Sequence, residues 1–279
     1  MLGALLGDIA GSRFERSNIK TKNFDLLTHT CKPTDDSVMS LAVARAILEC
    51  DGKPADLGNA AIRWMQEFGR RYPYAGYGGS FRRWLRAPNP KPYGSYGNGA
   101  AMRVSACGFA AKTLDDAKTM AKAVTEVTHN HPEGLKAAEA VSVAIFMARF
   151  GSSMPEIRDC IEKNYYPISF TLDAIRDSYT FNVSCQGSVP QAFEAFFESK
   201  GFEDAIRNAI SIGGDSDTIA AIAGGIAEAY YGIPAELRKQ ALTFLDDYQL
   251  DTLNAFESKY GLVAEKQAGS EIPRPVSNT

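Results

Sequence analysis

Apolar residues recur along most of the chain every three or four positions, the spacing typical of one face of an α-helix. In residues 36–49, Val38, Leu41, Ala42 and Ile47 follow this spacing. Glycine or proline separates this segment from others of the same kind, as expected where helices end. The pattern also predicts helices over residues 57–68, 116–127, 134–150, 192–198, 203–210, 218–231 and 236–248.

Alternation of apolar and polar residues, the pattern of a β-strand, is scarce. Residues 165–172 are the clearest candidate for a short strand. The chain shows no regular succession of strands and helices and no GxxxxGK[ST] phosphate loop. We therefore predict an all-α fold, a compact single-domain bundle of more than eight helices.

Residues 72–99 interrupt the helical pattern because they are dense in glycine, proline and tyrosine. The sequence predicts a short helix over residues 80–86 and a loop for the rest. A loop of this length is uncommon in a compact domain and tends to carry function. At the other end, residues 264–279 are polar and contain proline. We expect one domain over residues 1–263, followed by a poorly ordered polar tail.

Composition narrows the class of protein. The 279 residues are 45% hydrophobic and 23% charged, with a net charge of −3, which is ordinary for a soluble globular protein and argues against a general nucleic-acid surface. Five cysteines without a CxxC pair indicate reduced thiols. The apolar start of the chain is interrupted by Asp8 and lacks the basic residues of a signal peptide. We expect a cytoplasmic protein without a membrane segment.

Two short acidic runs, Thr34–Asp36 and Asp215–Thr218, lie about 180 residues apart and share one composition. Each places two carboxylates beside a threonine, and each precedes a predicted helix. Carboxylates and hydroxyls are the ligands that hard divalent cations such as Mg²⁺ and Mn²⁺ prefer. Together the two runs would supply enough negative charge for a pair of metal ions.

Helix capping explains either run alone, because threonine and aspartate cap the first amides of a helix and suit its dipole. The second run is harder to explain in this way. Residues 218–231 are almost wholly alanine, isoleucine and glycine, so their helix should lie in the core, with its start enclosed. Two buried carboxylates without compensation would be costly, and a metal is the usual remedy. The pair of runs therefore favours a metal site.

Three further features have two explanations each. Glu15 stands among arginines, a context that favours a solvated helix face over a site residue. The glycine-rich residues 94–99 fit a linker or a phosphate cradle equally, since glycine lets backbone amides approach an anion. His129 lies near His131 at a turn, but the pair has no third soft ligand, so we predict a partly exposed histidine at a helix end.

Taken in order, these motifs resemble the ADP-ribosylglycohydrolase family, and the resemblance spans about residues 1–232. Its most specific parts are the second acidic run and its pairing with the first. The matching motifs are Gly3–Asp8 with Glu15 seven residues later, Thr34–Asp36, Gly76–Gly78, Gly94–Gly99 with Ala101–Arg103, Thr128–His129 and Gly213–Ala220.

The resemblance implies an all-α fold with two divalent cations, Mg²⁺ or Mn²⁺. Its metal ligands would be Thr34, Asp35, Asp36, Asp215, Asp217 and Thr218. Glu15 or Asp36 would orient or deprotonate the attacking water. A substrate would contact Gly94, Ser95, Tyr96, Gly97 and Asn98 through its diphosphate, with Tyr96 stacked on adenine, and also His129, Gly76 and Gly78.

The implied function is hydrolysis of the bond between ADP-ribose and a modified protein side chain or small conjugate, by a monomer. Two alternatives remain. One is a catalytically silent ADP-ribose-binding or structural protein of the same fold, like the lens crystallin relatives, which the complete ligand sets disfavour. The other is a two-metal phosphoesterase, disfavoured by the lack of a histidine-rich ligand set. The linkage cleaved, the acceptor (arginine, serine or another) and the choice between Mg²⁺ and Mn²⁺ stay open.

Overall fold

The structure, a computed structural model, describes residues 1–261, over which lie fourteen α-helices and one turn of 3-10 helix at Asn98–Ala100. The α-helices are α1 (Leu2–Gly11), α2 (Asp35–Glu49), α3 (Pro54–Arg71), α4 (Gly79–Arg86), α5 (Ser105–Ala110), α6 (Leu114–Thr125), α7 (Pro132–Arg149), α8 (Met154–Asn164), α9 (Leu172–Ile175), α10 (Cys185–Phe197), α11 (Phe202–Ser211), α12 (Ser216–Tyr231), α13 (Ala235–Leu242) and α14 (Asp247–Tyr260).

The prediction of an all-α fold is confirmed. Within residues 1–261 no strand forms, and one isolated antiparallel bridge joins Gly97 to Ser184. The possible strand over 165–172 is wrong. Tyr166 and Ile168 of that segment are buried, so their alternation packs a loop onto the core instead of pairing it in a sheet.

The single helix expected over 236–248 is also wrong, because α13 and α14 replace it. Helix α13 ends at Leu242, and Asp246 is the N-cap of α14. Its carboxylate accepts a hydrogen bond from the Gln249 amide (3.0 Å), and the Gln249 side chain accepts one from the Asp246 amide (3.1 Å). This capping box satisfies the free amides of a new helix, which is why the chain does not continue as one.

Helices α1 and α12 form the centre of the molecule. All of α1 is buried, and α12 is buried from Ser216 to Ala229. The position of α12 confirms what its alanine-rich composition predicts. As a result the second acidic run, at the start of α12, is enclosed by protein.

Glycines on one face of α1 let the two central helices approach closely. Gly3, Gly7 and Gly11 are four residues apart, so they lie in one row. A Cβ at Gly7 would overlap the carbonyl oxygen of Ala220, and one at Gly11 would lie 2.5 Å from the Cα of Asp217. Only glycine fits this contact, which brings the backbone of α1 beside the start of α12.

The loop-rich segment contains α4, close to the helix predicted over 80–86. The predicted domain boundary at residue 263 and the tail 264–279 lie outside the described residues. Across residues 1–261, no helix has the length and apolarity needed to cross a membrane.

Candidate functional site

Three buried carboxylates meet where α1, α2 and α12 converge. Asp8, Asp36 and Asp217 each place an oxygen within 4.8 Å of the others. Asp36 and Asp217 come from the two acidic runs, so the structure brings together segments about 180 residues apart in sequence. Asp8 is not among the residues that the sequence predicts for the site. The one feature of the sequence that could have indicated Asp8 is that it is a single carboxylate in an otherwise apolar first helix.

Asp8 organises the first acidic run. Its carboxylate accepts hydrogen bonds from the amide (2.8 Å) and hydroxyl (2.6 Å) of Thr34, and from the amide (3.0 Å) and hydroxyl of Ser37. Thr34 is also the N-cap of α2, since its hydroxyl accepts weakly from the Asp36 amide (3.3 Å). Helix capping and membership of the candidate site are therefore compatible roles for this run.

The second run surrounds the start of α12. Asp215 is the N-cap residue, and Asp217 and Thr218 lie in the first turn, all three buried. The side chain of Asn98 donates to Asp215 at 2.7 Å, and to Ser188 at 3.1 Å. The loop predicted to bind substrate is thereby joined to a predicted metal ligand.

Burial and crowding raise the pKa of these carboxyl groups. Desolvation raises the pKa of Asp8 to about 6, against the lowering effect of its hydrogen bonds from Ser37 and Thr34. Desolvation, followed by the charge of Asp8, raises the pKa of Asp35 to about 7. The pKa values of Asp36 and Asp217 are raised by the same causes, burial first and neighbouring carboxylates second.

The donor set fits divalent cations. None of these carboxylates forms an ion pair with a lysine, arginine or histidine in the described part of the chain. The buried Oδ1 of Asp36 has no hydrogen-bond partner there either. A crowded set of buried oxygens with an orphan lone pair is costly without a cation, and hard cations prefer such ligands.

Asp35 lies at the outer side of the site and contacts one of the two predicted loop glycines. It is half-buried, and its amide donates to the Ala75 carbonyl at 2.8 Å. A Cβ at Gly76 would lie 2.9 Å from the Asp35 Oδ1, and Gly76 has a φ of +116°. Gly78 is exposed and nothing lies within 4 Å of such a Cβ. The structure brings Gly76, but not Gly78, to the acidic runs.

Glu15 lies in the turn after α1, half-buried and 3.4 Å from the Arg16 guanidinium. Its charge is one of the smaller causes of the raised pKa of Asp35, after burial and the charge of Asp8. Asn18, which the sequence analysis missed, fastens this turn to the second run. Its Nδ2 donates to the Gly214 carbonyl (2.9 Å), and the Gly214 amide donates to its Oδ1 (2.7 Å).

In the loop predicted to hold a diphosphate, some backbone amides already donate hydrogen bonds within the protein. Among residues 1–261, the amides of Ser95 and Tyr96 have no hydrogen-bond acceptor. Those of Gly94, Gly97 and Asn98 donate to Asn130 Oδ1 (2.7 Å), Ser95 Oγ (3.2 Å) and the Val183 carbonyl (2.8 Å), respectively. The predicted anion cradle is therefore smaller than the whole loop.

Exposed apolar side chains flank this loop. The ring of Tyr96 is 53% exposed and stands edge-on to His131, with ring centres 5.3 Å apart. Residues 181–184 run beside it, since the Cys185 amide donates to the Tyr96 carbonyl at 2.9 Å. Phe181 (49% exposed) and Val183 (54%) belong to this segment. Nothing in the sequence pattern singles out these two residues.

His129 is buried, with 6% of its surface exposed, so the expectation of a partly exposed histidine is wrong. It follows α6 and lies beneath the glycine-rich loop, where a Cβ at Gly99 would be 3.3 Å from its Nε2. Its Nδ1 lies 2.7 Å from the Thr128 hydroxyl. Burial, and then the charge of Arg103, lowers the pKa of His129 well below its usual value.

The helical fold and the oxygen-lined cluster define a class of protein: an all-α protein with buried carboxylates where three helices meet, beside a glycine-rich loop. The chain belongs to the ADP-ribosylglycohydrolase family, whose sequence model matches residues 1–268.

Curated relatives support this assignment. ADP-ribosylhydrolase ARH3 of Homo sapiens is 26% identical over 84% of this chain and 84% of that protein. ADP-ribosyl-[dinitrogen reductase] glycohydrolase of Rhodospirillum rubrum is 27% identical over 72% of this chain and 69% of that protein. A solved structure titled ADP-ribosylglycohydrolase-related protein complex shares the fold, with a TM-score of 0.63 and 22% identity over 94% of this chain and 96% of that one.

Proposed function

We propose that this protein is a hydrolase that uses two divalent cations, Mg²⁺ or Mn²⁺, to release ADP-ribose from a modified protein side chain or small conjugate. The observation that carries the proposal is the convergence of Asp8, Asp36 and Asp217, with the Asp36 Oδ1 unpartnered. The names of the relatives, which describe hydrolases of ADP-ribosylated substrates, support the substrate class.

The cations would be held by the six oxygen ligands of the two acidic runs, with Asp8 holding Thr34 in place. When bound, they would supply contacts for the ribose hydroxyls and lower the pKa of a nearby water. Glu15 or Asp36 would accept the proton of that water as its oxygen replaces the acceptor atom on the anomeric carbon. The acceptor atom would leave with the proton that this carboxyl group took from the water, so the step balances.

The glycine-rich loop would hold the diphosphate of ADP-ribose. Its unpaired Ser95 and Tyr96 amides are donors for phosphoryl oxygens. The exposed ring of Tyr96 offers a stacking surface for adenine, and Val183 offers an apolar edge beside it. Asn98 would act differently from the other loop residues, because its side chain already binds Asp215.

A panel of substrates tests the proposal. Peptides ADP-ribosylated on arginine or on serine, O-acetyl-ADP-ribose and ADP-ribosylated nucleic acid would be incubated with the protein, with and without Mg²⁺ or Mn²⁺. We expect cation-dependent release of ADP-ribose from at least one, and the pattern identifies the linkage. Binding of ADP-ribose without release from any of them would instead support a silent binding protein of the same fold.

A further inference from the structure

Arg103 is a fully buried cation between the 3-10 turn and α5. It forms no ion pair with a carboxylate of residues 1–261. Its Nη2 donates to the Thr128 hydroxyl at 2.6 Å and to the Val124 carbonyl at 3.3 Å, and its guanidinium lies over the Phe81 ring at 5.7 Å. Desolvation lowers its pKa to about 10. An unpaired buried arginine is costly and requires a reason.

The hydrogen bonds around Thr128 fix the direction of each donor. Arginine only donates, so the Thr128 oxygen accepts from Arg103. The threonine proton can then go to the Nδ1 of His129 at 2.7 Å or to the Thr125 carbonyl at 3.3 Å. The hydrogen bond to Nδ1 is favoured because it is shorter. The Arg103 Nη2, which lies 3.5 Å from Nδ1, also opposes a proton on that nitrogen.

With Nδ1 accepting, the proton of a neutral imidazole must sit on Nε2. This nitrogen points at the glycine-rich loop, since Cβ atoms at Gly97 and Gly99 would lie 3.7 Å and 3.3 Å from it. Among the described residues, Nε2 has no hydrogen-bond partner. His129 therefore presents an unused N–H donor to the loop.

We propose that Arg103, acting through Thr128, is a positioning residue that holds His129 as the neutral tautomer protonated on Nε2, so that this N–H donates to a phosphoryl oxygen at the Gly94–Asn98 loop. The identity of that ligand, the diphosphate of ADP-ribose, rests on the function proposed above. The buried positive charge serves the same end in two ways. It disfavours a protonated, doubly donating imidazole, and it adds a favourable potential for an anion.

The tautomer can be measured without any ligand. The protein has three histidines, His29, His129 and His131, so long-range proton–nitrogen spectra of ¹⁵N-histidine-labelled protein are assigned with H29Q and H131Q. We expect a bare Nδ1 and a protonated Nε2 for His129. Thr128→Val, which is nearly isosteric but lacks the hydroxyl, should shift His129 towards the Nδ1-protonated form. Arg103→Met should do the same.

Thr125, three residues before Thr128 and the last residue of α6, is a matched control. Thr125 is buried, and its hydroxyl has no hydrogen-bond partner within residues 1–261. Thr125→Val should therefore leave the tautomer unchanged. Should Arg103→Met fail to fold, Thr128→Val against Thr125→Val carries the comparison, because both remove one hydroxyl from the same buried segment.

Binding of ADP-ribose supplies the second readout. By titration calorimetry, Thr128→Val should raise its Kd about 3- to 10-fold relative to Thr125→Val, the loss of one well-placed hydrogen bond. The Mn²⁺ affinity should not change. His129→Gln, which can place an amide N–H near the position of Nε2, should bind ADP-ribose more tightly than His129→Leu.

Each result bears on a separate claim. A wild-type His129 protonated on Nδ1, or a tautomer that Thr128→Val leaves unchanged, overturns the positioning role. Equal ADP-ribose affinity of Thr128→Val and Thr125→Val overturns donation to the ligand. If wild-type protein binds no ADP-ribose, donation to the diphosphate is overturned together with the proposed substrate, while the spectra still decide the tautomer.

Discussion

At the scale of single residues, the site lies at the first residues of two helices, α2 and α12. Thr34 caps α2 through its hydroxyl and is also held by Asp8. Asp215 occupies the N-cap position of α12 without a side-chain capping hydrogen bond, and its carboxylate accepts from Asn98. The Thr34 cap satisfies a free amide of α2, and the carboxylates of Asp36 and Asp217 converge with that of Asp8. Thr34 therefore helps to position α2 and also belongs to the proposed ligand set, which explains why a threonine stands beside the aspartates of the first run.

The contact between Gly76 and Asp35 gives a prediction at this scale. In Gly76→Ala, the new methyl group would meet the Asp35 carboxylate at 2.9 Å, on a backbone with φ of +116° that strains alanine. We expect Mn²⁺ affinity, measured by calorimetry, to fall about 10- to 100-fold, as when a supporting contact of a metal site is lost. Gly78→Ala is the control, because it meets nothing within 4 Å. Equal affinities of the two variants would contradict the role of Gly76.

Sequence could indicate the two acidic runs because their composition repeats, but it could not show that Asp8 joins them. The partners of Asp8 are Thr34 and Ser37, and their contact depends on how α1 packs against α2. The buried state of His129 is likewise a tertiary effect, since the loop that covers it comes from residues 94–99.

At the scale of elements, the close contact of α1 with α12 positions the cluster. The row of glycines removes the side chains that would separate the two backbones. Because Asp8 lies next to Gly7 on α1, and Asp217 lies in the first turn of α12, this approach sets the spacing of two of the three central carboxylates. The packing of α1 against α12 therefore determines part of the geometry of the site.

Gly7→Ala tests this coupling. Its methyl group would overlap the Ala220 carbonyl, which is backbone and cannot turn aside. We expect a loss of about 1–3 kcal/mol in the free energy of unfolding, measured with urea, together with weaker Mn²⁺ binding. Gly58→Ala on α3 is the matched control. Its nearest neighbour would be 3.4 Å away, and alanine favours a helix by up to about 1 kcal/mol over glycine. Unaltered stability of Gly7→Ala would refute the account.

A helix whose residues are nearly all small and apolar was predictable from the sequence. The point at which a longer helical pattern divides into two helices was not. Residues 218–231 could only form a core helix, because nearly every side chain is small and apolar. Residues 236–248 also carry a helical pattern, but the capping box between Asp246 and Gln249 divides them. A capping box depends on hydrogen bonds of two polar side chains, so the spacing of apolar residues does not reveal it.

At the scale of the whole molecule, the core contains a set of carboxylates whose charge the fold does not neutralise by ion pairs within residues 1–261. The raised pKa values of Asp8 and Asp35 express this cost. Cation binding and folding should therefore be linked, since ligands must be deprotonated to bind metal. Stability then depends on pH in opposite ways with and without metal.

This linkage has a definite sign. In chelator, folded protein with pKa values of about 6 for Asp8 and about 7 for Asp35 binds more protons than the unfolded chain, whose value is 3.8. The free energy of unfolding should fall as pH rises from 4 towards 7. Added Mn²⁺ should raise the Tm more at pH 8 than at pH 5. Scanning calorimetry at four pH values tests this, and a Mn²⁺-induced rise in Tm independent of pH would argue against a carboxylate site.

The most direct measurement is the release of ADP-ribose from an ADP-ribosylated peptide by chelator-treated protein, before and after Mn²⁺ or Mg²⁺ is restored. Wild-type protein and Asp159→Asn, which alters an exposed carboxylate paired with Lys163 on α8, should release ADP-ribose only with cation. Asp217→Asn should release none. Release that survives chelation or Asp217→Asn would contradict the account, as would no release by wild-type protein with either cation from any peptide tested.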